Sequence, residues 1–343
     1  MCPLIKLNKS GIMKSTANTF FALLFGLLLV TSLDVTQAQS REDAILAFNE
    51  GLEKVQSGSR AEAIESFKKA IQISNSVGSE ADDIRGRAQS QVPRLQLAIA
   101  SDLYRERRFE EAIQSFQQAR EYAQRFGESQ IQRAAEGNIP IIYLVMGNNE
   151  YRGGNQEKAL EYYNKSLEQN PNNPKPHYQK GLVFRAQDNI DEALNSFDRA
   201  IQLALQTGDD QTEREAEAAA RDMLVFRSAK LIEAGQARRA IPLLERSLQY
   251  DSEHAAAYYR MAEAHNLMGN WDQAISAANE SLRYEKGGRV DRAKIYFELG
   301  TAYKNKGNVQ LACDNFAQAA FGSFRSAAEH QIEHELKCNG GTR

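Results

Sequence analysis

Near the end of this 343-residue chain stands His330-Gln331-Ile332-Glu333-His334, a string whose residue types and spacing could do chemistry. Two histidines four apart share a helix face and can bind zinc, with the glutamate beside them as a general base. The remaining histidines, His177, His254 and His265, are scattered and form no triad with a serine or cysteine nucleophile. Arg152-Gly153-Gly154-Asn155 is glycine-rich, but the Lys-Ser/Thr pair of a phosphate-binding loop does not follow it. Two cysteines, Cys313 and Cys338, lie within this same C-terminal stretch. What any of these groups can do depends on the elements that hold them. The helix carrying His330 has a plainer task, because Phe324, Ala328, Ile332 and Leu336 recur every four residues and would cover a neighbouring apolar surface. His330 points away from that stripe.

Those elements repeat. Taking Ala159 as an anchor, alanines in matching surroundings stand at Ala63, Ala112, Ala193, Ala240, Ala274 and Ala312, with steps of 49, 47, 34, 47, 34 and 38 residues along the chain. Four residues after each anchor come Phe67, Phe116, Tyr163, Phe197, Leu244, Ala278 and Phe316. Seven after it come Ala70, Ala119, Ser166, Ala200, Ser247, Ser281 and Ala319. Spacings of four and seven place all three positions on one helix face. Twelve residues before each anchor the chain is again small: Gly51, Ala100, Gly147, Gly181, Ser228, Ala262 and Gly300. A residue with little side chain lets two helices cross closely, and a glycine-containing turn between it and the anchor ends the first helix and caps the second.

This pattern resembles the tetratricopeptide (TPR) repeat, a helix-turn-helix unit of about 34 residues; Gly147, Ala159, Tyr163, Ser166 and Pro171 meet its small, alanine, aromatic, small and proline signature in full. The resemblance implies an all-α fold, a right-handed superhelix (α-solenoid) of about seven repeats over residues 39–322, with a capping helix and tail over 323–343. Three steps exceed 34 widely, and in each a glycine (Gly78, Gly127 or Gly208) follows fifteen residues after the anchor. These glycines are expected to stop a second helix about one turn longer than usual. The added residues, such as Gln211–Leu224, are rich in helix formers and read as extra helix, with Pro93 and Pro140 either opening a new helix or kinking a long one. Composition agrees: a quarter of the residues are charged, prolines number seven, and no alternating Val/Ile/Thr run marks a sheet. Zinc peptidases with the inverted His-x-x-Glu-His motif are large α/β proteins, so the string at 330–334 lacks their context. No catalytic residue, metal site or cofactor is assigned.

Residues 1–38 stand apart. Lys6, Lys9 and Lys14 precede the apolar run Phe20–Leu33, and Thr36 and Ala38 supply a small-x-small end, the layout of a secretory signal peptide, with Met13 an alternative start. Fourteen apolar residues fall short of the ~20 that span a bilayer. Its removal leaves a chain more acidic than the −3 of the full sequence, which with the lack of a basic block argues against nucleic acid as a partner. Export to a periplasm or the exterior suits the even pair Cys313 and Cys338 as a disulfide. Two antiparallel helices about Gly322 would carry residue 338 roughly 9 Å past 313 at the helical rise, so the bond requires the chain to turn back after Leu336.

In TPR proteins the first helix of each repeat lines a concave groove through positions 2, 5, 9 and 12. Carried onto this chain, the resemblance places Asn148, Tyr151, Lys175, Tyr178, Arg185, Tyr259 and Asn266 there, residue types that favour protein or extended-peptide binding. The lysine, asparagine and arginine set that clamps a C-terminal carboxylate in chaperone-binding members is not met, since Leu144 precedes Asn148 and Glu298 follows Lys294. The expected function is a non-enzymatic scaffold for another protein or an extended peptide. The alternative is a self-associating structural part of the cell envelope or of an envelope assembly machine.

Overall fold

The computed structural model describes residues 40–338; the signal-peptide reading of 1–38 and the last five residues of the tail lie outside them. Among the described residues the fold is all-α, with no strand. Fourteen helices pair into seven hairpins: α1 (Arg41–Gln56) with α2 (Arg60–Val77), α3 (Asp82–Arg105) with α4 (Phe109–Phe126), α5 (Ser129–Arg152) with α6 (Gln156–Gln169), and α7 (Pro174–Ala186) with α8 (Ile190–Thr207). The series continues with α9 (Asp210–Glu233) and α10 (Ala237–Tyr250), α11 (Ala255–Leu267) and α12 (Trp271–Tyr284), and α13 (Arg289–Asn305) and α14 (Val309–Ala319).

Every anchor alanine is buried on the second helix of its hairpin, and so is the residue four later, from Phe67 to Phe316. Size matching across the hairpin explains the small residue twelve places earlier. A Cβ added to Gly147 or Gly181 would come within 2.5 Å of the ring of Tyr163 or Phe197, so glycine lets these two rings lie flat on the first helix, while Phe116 pairs with Ala100. Where the ring is replaced by Leu244 or Ala278, the facing position carries Ser228 or Ala262 instead. Each fully buried ring contributes on the order of 2 kcal/mol through burial alone.

The three long steps are helix throughout. Helices α2, α4 and α8 each run 18 residues, against 14 for α6, α10 and α12, and each is followed by a helix of 24 residues. Gly78, Gly127 and Gly208 stand at the C-terminal ends of the long second helices. Pro93 and Pro140 lie inside α3 and α5 rather than opening new helices. Ser166 donates to the carbonyl of Pro140 at 2.8 Å, tying α6 back onto α5.

Hairpins stack in chain order, and consecutive first helices also touch one another, from α1 with α3 through to α11 with α13; the second helices make no comparable contact among themselves. Elements closer on one face than on the other must curve toward the closer face. The first helices therefore form the inner, concave layer of the solenoid.

The C-terminal segment departs from the single capping helix expected for it. A 3-10 turn (Gly322–Phe324) leads into a short α15 (Arg325–His330), then a π-helical turn (Gln331–Glu335). Its apolar stripe still covers the last hairpin: Ala328 is buried, and Ile332 and Leu336 pack with Phe316 and Phe297. Lys337 takes a left-handed conformation (φ 52°), and the Cys338 amide donates back to Ile332 at 3.0 Å. This reversal brings the Cα of Cys338 to 5.9 Å from that of Cys313, at disulfide geometry.

Candidate binding groove

The residues singled out for the groove have unequal fates. Lys175 and Arg185 are exposed on α7. Lys175 faces Asp209 at 3.7 Å, whereas Arg185 makes no ion pair among the described residues. Asn148 accepts a hydrogen bond from the buried Tyr163 hydroxyl at 3.0 Å, and the Tyr151 hydroxyl reaches the Leu182 carbonyl at 3.4 Å. Tyr178 is half-buried, its ring 6.1 Å from that of Phe197. Asn148 and Tyr178 make these contacts within their own hairpins, whereas Tyr151 joins one hairpin to the next.

Tyr259 and Asn266 depart further from open groove positions. Tyr259 is 9% exposed, its ring capped by the Arg260 guanidinium at 5.0 Å and by the Lys294 ammonium at 5.4 Å. Asn266 is 7% exposed, and its amide donates to both the carbonyl and the carboxylate of Glu298 on α13, at 2.9 and 2.7 Å. Position along a helix sets the direction of a side chain; the next helix decides whether it stays open. Here α13 comes close enough to cover both.

Burial also tunes the ionisable groups of this layer. It pushes the Glu298 carboxyl up to about 7, opposed by the Asn266 amide and helped by nearby Glu263. His177 is pushed down to about 4, by burial first and by Lys180 and Arg199 next. His254 and His265 are lowered as well, mainly by burial.

One open feature lies where the spacing selected no residue. Phe226 on α9 is 65% exposed on the inner layer; with position 1 of its repeat at Arg221, it stands at position 6, beside Val225 at position 5. A cavity of about 330 Å³ opens on one side of it, between α7 and α9, walled by Ile190, Met223, Arg185 and the Arg227–Asp188 ion pair (3.1 Å). A second, of about 350 Å³, lies toward α11 and is walled by Val225, Ala229, Ala256 and Arg260. The signal available for Phe226 was its place off the buried stripe Ala219, Ala220, Met223 and Leu224 of its own helix.

The candidate chemistry at 330–334 resolves differently. The His330 and His334 rings lie 5.1 Å apart, both largely exposed, with Glu335 3.7 Å from His330 and Glu333 3.9 Å from His334. Among the described residues no three His, Cys, Asp or Glu side chains converge as a metal site would need, and no helix is long and apolar enough to cross a membrane.

Stacked helical hairpins with an inner layer open to a ligand define an α-solenoid. Profiles of the tetratricopeptide repeat match residues 231–295 and, separately, 45–76, 174–207 and 293–320, and a TPR-repeat profile matches 147–188. Together they span just over half of the sequence, and the chain belongs to the tetratricopeptide-repeat family. No curated protein matches it. Among solved structures it is similar to MamA (23% identity over 58% of this chain and 97% of that one, TM-score 0.38). It is similar also to YrrB, described as a TPR protein with an unusual peptide-binding site (21%, 60% and 93%, 0.35). A third is a tetratricopeptide repeat protein from Parabacteroides merdae (16%, 87% and 100%, 0.29).

Proposed function

We propose that this protein is an exported, non-enzymatic scaffold that takes a partner protein or an extended peptide across its inner groove. The observation that carries the reading is Phe226, a large ring left 65% exposed between two cavities on the concave layer. Leaving such a ring in water forgoes burial worth on the order of 2 kcal/mol, which a partner recovers. Tetratricopeptide proteins generally mediate protein or peptide binding, which supports the same reading. Export rests on the basic start, short apolar run and small-x-small end of residues 1–38. In the oxidising compartment that export implies, Cys313 and Cys338 are bonded.

Two experiments test these statements. Affinity capture from the native envelope fraction should recover a partner with the wild-type chain and lose it with Phe226→Ala; equal recovery would place binding on another face. Sequencing the N-terminus of the mature protein should find Gln39 or a residue close to it, and a secreted form still carrying Phe20–Leu33 would overturn export by cleavage. A monomer that stays monodisperse in light scattering supports capture, whereas concentration-dependent assembly would favour a structural part of the envelope.

A further inference from the structure

Given that the inner groove is the binding face, a premise that rests on the proposed function, the two cavities beside Phe226 and the charges left around them specify its ligand more narrowly. The cavities sit on either side of one inner helix, α9, toward α7 and toward α11. Neighbouring packed helices are about 8–10 Å apart. Three residues of a polyproline-II segment advance about 9 Å and return to the same face of the ligand. Two residues of a β-strand span about 7 Å and four about 13 Å, a poorer match. A segment that straddles Phe226 and fills both cavities therefore carries apolar side chains at i and i+3.

Charge sets the third element. Around the cavities Arg227 is held by Asp188 at 3.1 Å, Asp222 by Arg221 at 2.8 Å and Arg260 by Glu263 at 2.7 Å. At the second cavity, burial lowers the pKa of His254 and so disfavours its charged form. Arg185 alone among these cavity-lining charges has no ionic partner among the described residues, and it is exposed. Its planar fork matches a carboxylate through two parallel hydrogen bonds. We infer that the groove at Phe226 reads an extended, polyproline-II-like segment with two apolar side chains three residues apart, flanked on the α7 side by an acidic side chain that pairs with Arg185.

The test is selection of random twelve-residue peptides displayed on phage against the full mature chain, followed by fluorescence anisotropy on the enriched sequences. The expected motif holds one Asp or Glu beside two apolar residues spaced by three. Changing that acid to its amide, or Arg185→Ala, should each weaken binding about tenfold, and Arg185→Glu should shift selection toward a basic residue at the acidic position. Phe226→Ala should abolish enrichment with the melting profile unchanged. Peptides that need Phe226 but carry no acid, or carry another apolar spacing, would overturn this inference and leave the groove reading standing. Peptides that bind Phe226→Ala equally well, or the absence of any enriched peptide, would overturn both.

Discussion

At the scale of single residues, the inner layer carries side chains whose burial and ionisation conflict, and their signs can be worked out. Glu298 has a folded pKa of about 7 against an ordinary 4.5, so between those values the folded chain binds more protons than the unfolded one. Stability near α13 is therefore fully present below about pH 4.5 and falls as pH rises toward 7. The groups facing Glu298 are Asn266, Glu263 and Arg260 on α11, and none of them is a cation paired with its carboxylate. His177 has the opposite sign: its pKa of about 4 against 6.5 means stability near α7 is lost as pH falls through that window. Amide exchange, corrected for its intrinsic pH dependence, should show protection of α13 falling and that of α7 rising between pH 5 and 7.5. Glu298→Gln should flatten the α13 response and raise stability at pH 8 by on the order of 1 kcal/mol; an unchanged profile would remove Glu298 as its source. What could be read at this scale was partial. Repeat position identified Arg185, which is open, but could not show that α13 covers Tyr259 and Asn266. It also passed over Phe226, whose helix contributed no residue to the expected set.

At the scale of elements, the repeat was legible because each hairpin obeys one rule of complementary size. A ring on the second helix requires glycine or alanine on the first, and both lie at fixed distances from the anchor alanine. Gly181→Ala should therefore force its Cβ onto Phe197, 2.5 Å away in the present packing, and cost about 1–3 kcal/mol of stability in chemical denaturation. The same change at Gly154, a turn glycine with open space around it, tests φ instead of packing. The seven turns within hairpins all place one residue at positive φ: glycine in five, but Arg107 (φ 61°) and Asp188 (φ 56°) in the others. Left-handed backbone costs a residue with a Cβ roughly 1 kcal/mol. Arg107→Gly should accordingly raise the denaturation midpoint by an amount worth about 0.5–1 kcal/mol, whereas a lower midpoint would mean that the arginine makes a contribution beyond its backbone. Asp188 is a different case, since its carboxylate holds Arg227 at the groove cavity. The long hairpins were legible through Gly78, Gly127 and Gly208, while the fate of Pro93 and Pro140 was not. A proline fits either the first turn or the interior of a kinked helix, and only packing of the preceding turn, as of Ala135 and Ile139 before Pro140, selects the interior.

At the scale of the whole molecule, a solenoid is stabilised by contacts between neighbours, so its ends set where unfolding begins. The C-terminal end is closed by a short segment whose own helix, α15, has only six residues and cannot persist alone. What holds it is Ile332 and Leu336 on Phe316, the ring of Phe324 5.4 Å from that of Phe297 and Lys304 donating to Gln331 at 2.6 Å, to which the proposed Cys313–Cys338 bond adds. The sequence spacing implied an overshoot of the second cysteine; the π-turn and the reversal at Lys337, neither of which has a strong residue signature, remove it. The proposed link across 25 residues limits the unfolded chain by roughly 3.5 kcal/mol in the loop-entropy account, a stabilisation confined to the last hairpin and its cover. Replacing both cysteines by serine should then leave α1 to α10 as protected from amide exchange as in the oxidised wild-type protein, while α13, α14 and the terminal segment exchange faster. Reducing agent should reproduce that pattern in the wild-type chain and do nothing further to the serine variant. Deleting residues from Arg325 onward should go further, because it also removes Ala328, Ile332 and Leu336 and leaves Phe316 open to water, so the shortened protein should lose its last hairpin first or aggregate through it. Uniform loss of protection along all seven hairpins would mean that the solenoid unfolds as one unit, and an unchanged pattern would mean that the terminal segment is not its cap.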